Sequence, residues 1–250
     1  MTETDYLKLY EHIPMGTAVH YLRTPEGKEL LGIGVAEQRD ADTRSSWRKD
    51  LALPDNALAF FYISFDPTAA REQTWRPFGD ARVVVPSLLF ERMGDTARIH
   101  SLGSEAAVLL DELLAVPIAP IPSTGSEIKT KHPNPTQDKP YETAVRVALE
   151  ALKDGELLKV VVAREETFTM ANPVNIAATL RAMNERFPEC TTFAIRPTES
   201  TLTFIGVTPE RLVQVKEGVA STGALAGSAP RGVDPEADLK LATELAKSAK

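Results

Sequence analysis

The chain has 250 residues, of which 43% are hydrophobic and 25% are charged, and its formal net charge is −7. This composition is typical of a globular protein with a large core, and the scattered Lys and Arg residues argue against a nucleic-acid partner. No apolar run approaches the ~20 residues that a membrane span needs, and the N-terminus carries acids where a signal peptide carries basic residues. We therefore expect a cytoplasmic protein without a membrane partner.

Cysteine and histidine are scarce. The single cysteine, Cys190, excludes an internal disulfide and a centre built from several thiolates, and the four histidines do not have the spacing of a zinc motif. Composition does not decide the oligomeric state, and a monomer is one option.

The residues before position 117 predict a mixed α and β region. The stretches at 59–66 and 81–92 are rich in β-forming residues, whereas 104–116 has the apolar spacing of an amphipathic helix. Six prolines, interspersed with Ser, Thr, Gly and Lys, then predict an extended linker. We expect an N-terminal α/β half over 1–116, a linker over 117–140 and a second folded region over 141–250.

The second region predicts helices and strands that alternate along the chain. Asp138 and Pro140 are expected to open a helix that Asp154 and Gly155 close. The predicted elements that follow are a strand at Leu157–Ala163, a strand at 167–170, a helix at 172–187, a hairpin of 191–197 with 201–207, a second hairpin within 211–222, and a helix that starts at Asp234 and Pro235. The pattern is that of an α+β protein with antiparallel sheet.

Lys159 lies in the middle of an apolar strand pattern. Strands that are apolar on both faces are usually covered on both sides, so we expect this lysine to be desolvated, which lowers its pKa and favours a neutral amine that can act as a base. The alternative is a lysine near a strand end whose amine reaches water.

Glu210 follows Thr208 and Pro209, a sequence that is also typical of a helix start. The residues after it, RLVQVK, alternate with period two instead of helical spacing. We therefore expect Glu210 in a turn between two strands, where catalytic carboxylates are common.

Small residues dominate the loop at 224–232. Ala226, Gly227 and Ser228 would let backbone N–H groups approach a carboxylate closely, and Arg231 would add a positive charge. A surface loop without a ligand is the alternative.

Three motifs in this region, KVVVAR at 159–164, GVTPERL at 206–212 and TGALAGSAPRG at 222–232, resemble those of the chorismate-utilising enzymes in order and separation. The resemblance is specific over about 141–249 and looser over about 59–92. It implies the fold of anthranilate synthase component I, with large antiparallel sheets flanked by helices. Chorismate would lie between the sheets, with a Mg²⁺ ion as cofactor. Residues 141–250 would be the first part of the catalytic core.

The resemblance also implies roles for the candidate residues. Ammonia-using members of the family typically have glutamine at the position of Lys159, whereas members that use water have lysine. Lys159 would deprotonate a water that attacks C2 of chorismate, and Glu210 would protonate the departing C4 hydroxyl, giving isochorismate. Ala226, Gly227, Ser228 and Arg231 would bind a substrate carboxylate. Salicylate synthase, another chorismate-utilising enzyme and a non-catalytic remnant are the alternatives.

The last predicted helix reaches Lys250 without a stop signal. The resemblance places the glutamates that bind Mg²⁺ beyond Lys250, so we expect no metal ligands in this chain, an incomplete core at the C-terminus and no activity of residues 1–250 alone.

Overall fold

The computed structural model describes residues 5–41, 57–66, 73–115, 128–132, 135–223 and 229–247. The chain divides into two compact units, Met1–Val207 and Thr208–Lys250. Within the described ranges, no helix combines the length and apolar character required to cross a membrane.

The first unit is a mixture of helices and strands, as the sequence pattern predicts. The helices are α1 (Tyr6–Tyr10), α2 (Glu105–Ala115), α3 (Pro135–Lys153) and α4 (Ile176–Arg186). The strands are β1 (Val19–Arg23), β2 (Lys28–Ile33), β3 (Glu37–Ala41), β4 (Phe60–Ile63), β5 (Ala81–Val85), β6 (Leu88–Met93), β7 (Thr96–Ser101), β8 (Ile128–His132), β9 (Thr167–Met170), β10 (Thr191–Arg196) and β11 (Phe204–Thr208).

A six-stranded sheet with the order β11-β10-β1-β2-β6-β7 is the largest structure in this unit. The pairs from β10 to β7 are antiparallel, and β10 and β11 are neighbours, as predicted for 191–207. Alternate residues such as Tyr21, Leu31 and Leu88 point to one face, where they form a core with side chains of α1, α2 and α4. Leu180 of α4 and Leu113 of α2 are buried there, which explains the apolar spacing of both helices.

The opposite face of this sheet packs against a three-stranded sheet with the order β3-β5-β4. Gly32 of β2 allows the close approach, because a Cβ at this position would lie 2.6 Å from a ring carbon of Phe60. His20 of β1 is buried at the same place, and its ring stacks on Phe60 and Tyr62 with centroid distances of 5.1 and 5.9 Å. Aromatic side chains of β4 therefore hold the two sheets together.

A second close approach occurs between β10 and β11. The ring of Phe193 lies over Gly206, where a Cβ would be 2.5 Å from Cζ of that ring. Phe193 also contacts Phe204 edge to face, with 5.3 Å between the ring centroids. Glycine is required at position 206 because the aromatic ring occupies the space of a side chain.

The second unit is small and exposed. The strands β12 (Gln214–Lys216) and β13 (Val219–Ser221) form a hairpin whose turn residues, Glu217 and Gly218, both have positive φ, as in a type I′ turn. Helix α5 (Pro235–Ala246) begins where predicted, since the carboxylate of Asp234 accepts the N–H of Ala237 at 2.8 Å. No residue of α5 is buried among those described.

The structure differs from the sequence prediction within 117–140, which we expected to be a linker. Strand β8 lies in this range and pairs with β9, and none of the prolines falls inside Ile128–His132. Helix α3 begins at Pro135, so Pro140 does not open the helix but lies inside it. Pro135 suits the first helical position, and Pro140 lies near the helix start, where its missing N–H removes one backbone hydrogen bond.

Acidification should destabilise the fold through His20. Neither ring nitrogen has a hydrogen-bond partner among the described residues, and burial, assisted by the charge of Arg82, lowers the pKa of His20 from 6.5 to about 4. The unfolded chain then takes up the proton at a higher pH, so the free energy of unfolding should fall as the pH drops from about 6.5 to about 4, by about 3 kcal/mol in total.

The variant His20→Phe tests this expectation, because phenylalanine keeps the stack of rings and cannot titrate. Urea unfolding at several pH values between 7 and 4 should give a smaller pH dependence for the variant, and the difference between the two proteins isolates His20 from the carboxylates. Equal pH dependence in the two proteins would contradict the prediction.

Gly206→Ala should destabilise the first unit by about 1–3 kcal/mol, since the new methyl group overlaps the ring of Phe193. In a Phe193→Leu background the same change should cost less, because the smaller side chain leaves room. A double-mutant cycle by urea unfolding measures the coupling. An equal cost in both backgrounds would show that another contact makes the site intolerant.

Candidate functional site

Lys159 lies in the first unit, in the extended segment between α3 and β9. The predicted strand at Leu157–Ala163 is wrong for this structure: these residues pair with no strand in the described part of the chain, and Lys159 is exposed. Leu158 is fully exposed and Val161 is 82% exposed, so the apolar run lacks the cover on both sides that the prediction assumed. The desolvation expected for Lys159 is therefore absent from this structure.

An open groove of about 850 Å³ runs between this segment and α3. Its walls are almost entirely apolar and include Val147 and Ala151 from the helix and Leu157, Val160 and Val162 from the segment. The segment thus faces α3 across an open groove, whereas the pattern of hydrophobic residues alone predicts a strand in a sheet.

Glu210 lies in the second unit, in the turn between β11 and β12, as the alternating pattern after it predicts. No helix starts here, although Thr208 and Pro209 allow one. Instead, the hydroxyl oxygen of Thr208 accepts a hydrogen bond from the backbone N–H of Glu210 at 3.0 Å. The residue Glu210 is exposed. The carboxylate is accessible, and its backbone is held by a local hydrogen bond.

The role of Thr208 is the feature that sequence reasoning missed. A threonine two residues before a glutamate can hold the N–H of that glutamate whether or not a helix follows. The sequence carries this signal, but the same residues are also typical of a helix cap.

The predicted substrate-binding loop is only partly described. Ala226, Gly227 and Ser228 lie outside the described residues. Arg231 is exposed, and its guanidinium forms an ion pair with Asp238 of α5 at 2.8 Å. The other carboxylate oxygen of Asp238 accepts the N–H of Gly232, also at 2.8 Å. Asp238 therefore fastens the end of the loop to α5, and the pair uses only one nitrogen of an exposed guanidinium, whose other N–H groups stay accessible.

The described residues do not provide the ligand set that Mg²⁺ requires. No three His, Cys, Asp or Glu side chains converge in this part of the chain. Mg²⁺ needs several oxygen ligands in octahedral geometry, so no residue described here is assigned to the metal.

Comparisons with known proteins show which protein family matches this chain. A family model described as "Chorismate binding enzyme" matches residues 37–250. The isochorismate synthase MenF of Bacillus subtilis is 28% identical over 75% of this chain and 41% of its own length. The isochorismate synthase of salicylate biosynthesis from Pseudomonas aeruginosa is 29% identical over 89% of this chain and 49% of its own length.

The fold agrees with this assignment. The solved structure of MenF, the menaquinone-specific isochorismate synthase of Escherichia coli, matches 99% of this chain and 57% of its own, with a TM-score of 0.73 and 22% sequence identity. The chain belongs to the chorismate-binding enzyme family, and the predicted fold class is confirmed. It spans about half the length of the curated isochorismate synthases named above.

Proposed function

We propose that the protein containing this chain is an isochorismate synthase, which interconverts chorismate and isochorismate. Membership of the chorismate-binding enzyme family carries the proposal, together with lysine at position 159 in KVVVAR. The resemblance associates this lysine with members that use water and glutamine with members that use ammonia. Anthranilate synthase component 1 of Saccharolobus solfataricus, which is 36% identical over 44% of this chain, is the kind of relative that the lysine argues against.

The proposed reaction needs one base and one acid. Lys159, as a neutral amine, would remove a proton from a water whose oxygen forms a bond to C2 of chorismate. The ring double bonds shift, the bond from C4 to its hydroxyl breaks, and Glu210 would donate the proton with which that hydroxyl leaves as water. Atoms balance, because one water enters and one leaves, and the two groups exchange roles in the reverse direction.

The exposure of both side chains sets a condition on this proposal. Hydration stabilises the charged form of a lysine amine. The neutral form, which can act as a base near neutral pH, is favoured only when the amine is removed from water. The proposal therefore requires a surface that covers the apolar segment 157–163 in the complete protein. The predicted Mg²⁺ would assist by neutralising charge on the substrate carboxylate, but no step is assigned to it with the residues described here.

A product analysis tests the proposed function. The full-length protein should be incubated with chorismate and Mg²⁺, with and without an ammonium salt, and the products separated by chromatography. Isochorismate in both samples supports the proposal. Anthranilate formed only with ammonium, salicylate with pyruvate, or no conversion would each contradict it and would indicate one of the other functions considered for this family.

Lys159→Gln and Glu210→Gln should each lower kcat by about 10²–10⁴-fold, because each replaces a proton-transfer group with an amide that stays polar and cannot transfer a proton. Matched controls are Lys153→Gln at the end of α3 and Glu217→Gln in the β12–β13 turn, which are exposed residues of the same kinds. Steady-state kinetics with circular dichroism as a fold check measures the effect. If a candidate variant retains the kcat of its control, that residue has no role in proton transfer.

Thr208 should act as a positioning residue for Glu210. Thr208→Val removes the hydroxyl that accepts the Glu210 N–H, and Thr208→Ser retains it. We expect kcat to fall roughly five- to tenfold in the valine variant, the kinetic equivalent of about 1 kcal/mol, with little change in KM. The serine variant should recover most of the activity. Equal kcat values in the two variants would exclude a role for the hydroxyl.

A further inference from the structure

A cavity of about 380 Å³ lies in the first unit, away from Lys159. Residues near the start of α1, in α4 and on strands β1, β2 and β6 line it, and it is more polar than apolar. Its walls carry three arginines, three carboxylates, one amide and a single leucine, so the charges of the lining sum to zero. No residue assigned to the proposed reaction lies in these walls.

Two of the arginines are already paired and form the rigid part of the walls. Arg181 of α4 contacts Asp5 at 2.5 Å, and Arg92 of β6 contacts Glu29 of β2. Glu29 is 6% exposed and also accepts the hydroxyl of Tyr21 at 2.9 Å. These contacts join the start of α1 to α4 and join β1, β2 and β6 to one another, and each of the two arginines is already neutralised by a carboxylate.

The remaining polar groups of the cavity have few partners among the described residues. Among the residues that the structure describes, Arg23 donates one side-chain hydrogen bond, at 3.5 Å, to the carbonyl oxygen of Pro188 and forms no ion pair. Glu185 lies at the exposed edge of the cavity, and no ion pair or hydrogen bond joins its carboxylate to the described residues. The amide of Asn184 donates to the Tyr21 hydroxyl at 2.8 Å, but its own oxygen is buried and accepts no hydrogen bond within the described chain. One cation, one anion and one buried acceptor are thus left over in the same cavity.

We propose that this cavity binds a small zwitterion of the amino-acid type. The carboxylate of the ligand would pair with Arg23, and its ammonium group would donate to Glu185 and to the Asn184 oxygen. A zwitterion is favoured over a simple anion or cation because the lining is neutral, and a single added charge would remain uncompensated in a partly buried place. The volume suits a small molecule, since ligand pockets begin at about 300 Å³.

Binding is measured on the chain itself by isothermal titration, without chorismate. The probes are the twenty protein amino acids, with acetate and methylammonium as molecules that carry only one of the two charges. At least one amino acid should bind in a saturable way, with an affinity at least about tenfold higher than that of either single-charge probe. This readout is independent of the proposed reaction, so either proposal can fail without the other.

Arg23→Gln and Glu185→Gln should each weaken the binding by about tenfold or more, the loss of one charge-assisted contact. Matched controls are the exposed residues Arg98 and Glu189, changed to glutamine, which should leave the affinity unchanged. Circular dichroism verifies that all four variants are folded. Loss of affinity in the first pair alone supports the site.

Three results would overturn the proposal. The first is the absence of saturable binding by any amino acid up to about 10 mM, a concentration well above the range of specific binding. The second is binding of acetate as strong as that of the amino acids, which would make the cavity a simple anion site. The third is an affinity that neither Arg23→Gln nor Glu185→Gln changes, which would place the ligand elsewhere.

Discussion

The antiparallel pairing of β1 with strands on both of its sides holds the first unit together. Val19 of β1 lies opposite Ile33 of β2 and opposite Arg196 of β10, so one short strand joins the beginning of the unit to a strand near its end. Pairing β1 with β10 closes a long stretch of chain, which costs conformational entropy. The cost is offset by burial of one face of the sheet under the helices and of the other face under the aromatic residues of β4. Both the cavity lined by Arg23 and Glu185 and the β10–β11 pair depend on this arrangement.

Burial is distributed unevenly over the functional motifs. The sheet and its helices form a closed core, whereas the segment of Lys159, the β12–β13 hairpin and α5 expose much of their apolar surface. Leu158 and Leu212, which lie one residue before Lys159 and two residues after Glu210, are 100% and 90% exposed. Large exposed apolar surfaces of this kind are typical of sites that contact another part of a protein or a partner. Lys159 and Glu210 thus each lie next to strongly exposed apolar residues.

The parts of the candidate site whose conformation depends on neighbouring residues were predictable from the sequence. The turn that presents Glu210 follows from a period-two pattern after Pro209, and the start of α5 follows from Asp234 and Pro235, because both depend on residues within a few positions. The environment of Lys159 was not predictable in the same way. An apolar run is compatible with a strand covered on both sides and with a segment that faces a helix across an open groove, and only the available partners decide between them.

The sequence by itself determined the family, the α+β class and most individual elements, since motif order, hydrophobic periodicity and turn residues are properties of the chain alone. Tertiary structure decided which strands pair, as when β6 joins β2 while the adjacent β5 enters a different sheet. It also brought Arg23, Asn184 and Glu185 to one cavity, although Arg23 is distant in sequence from the other two. Such contacts depend on how distant segments pack, and no local pattern encodes them.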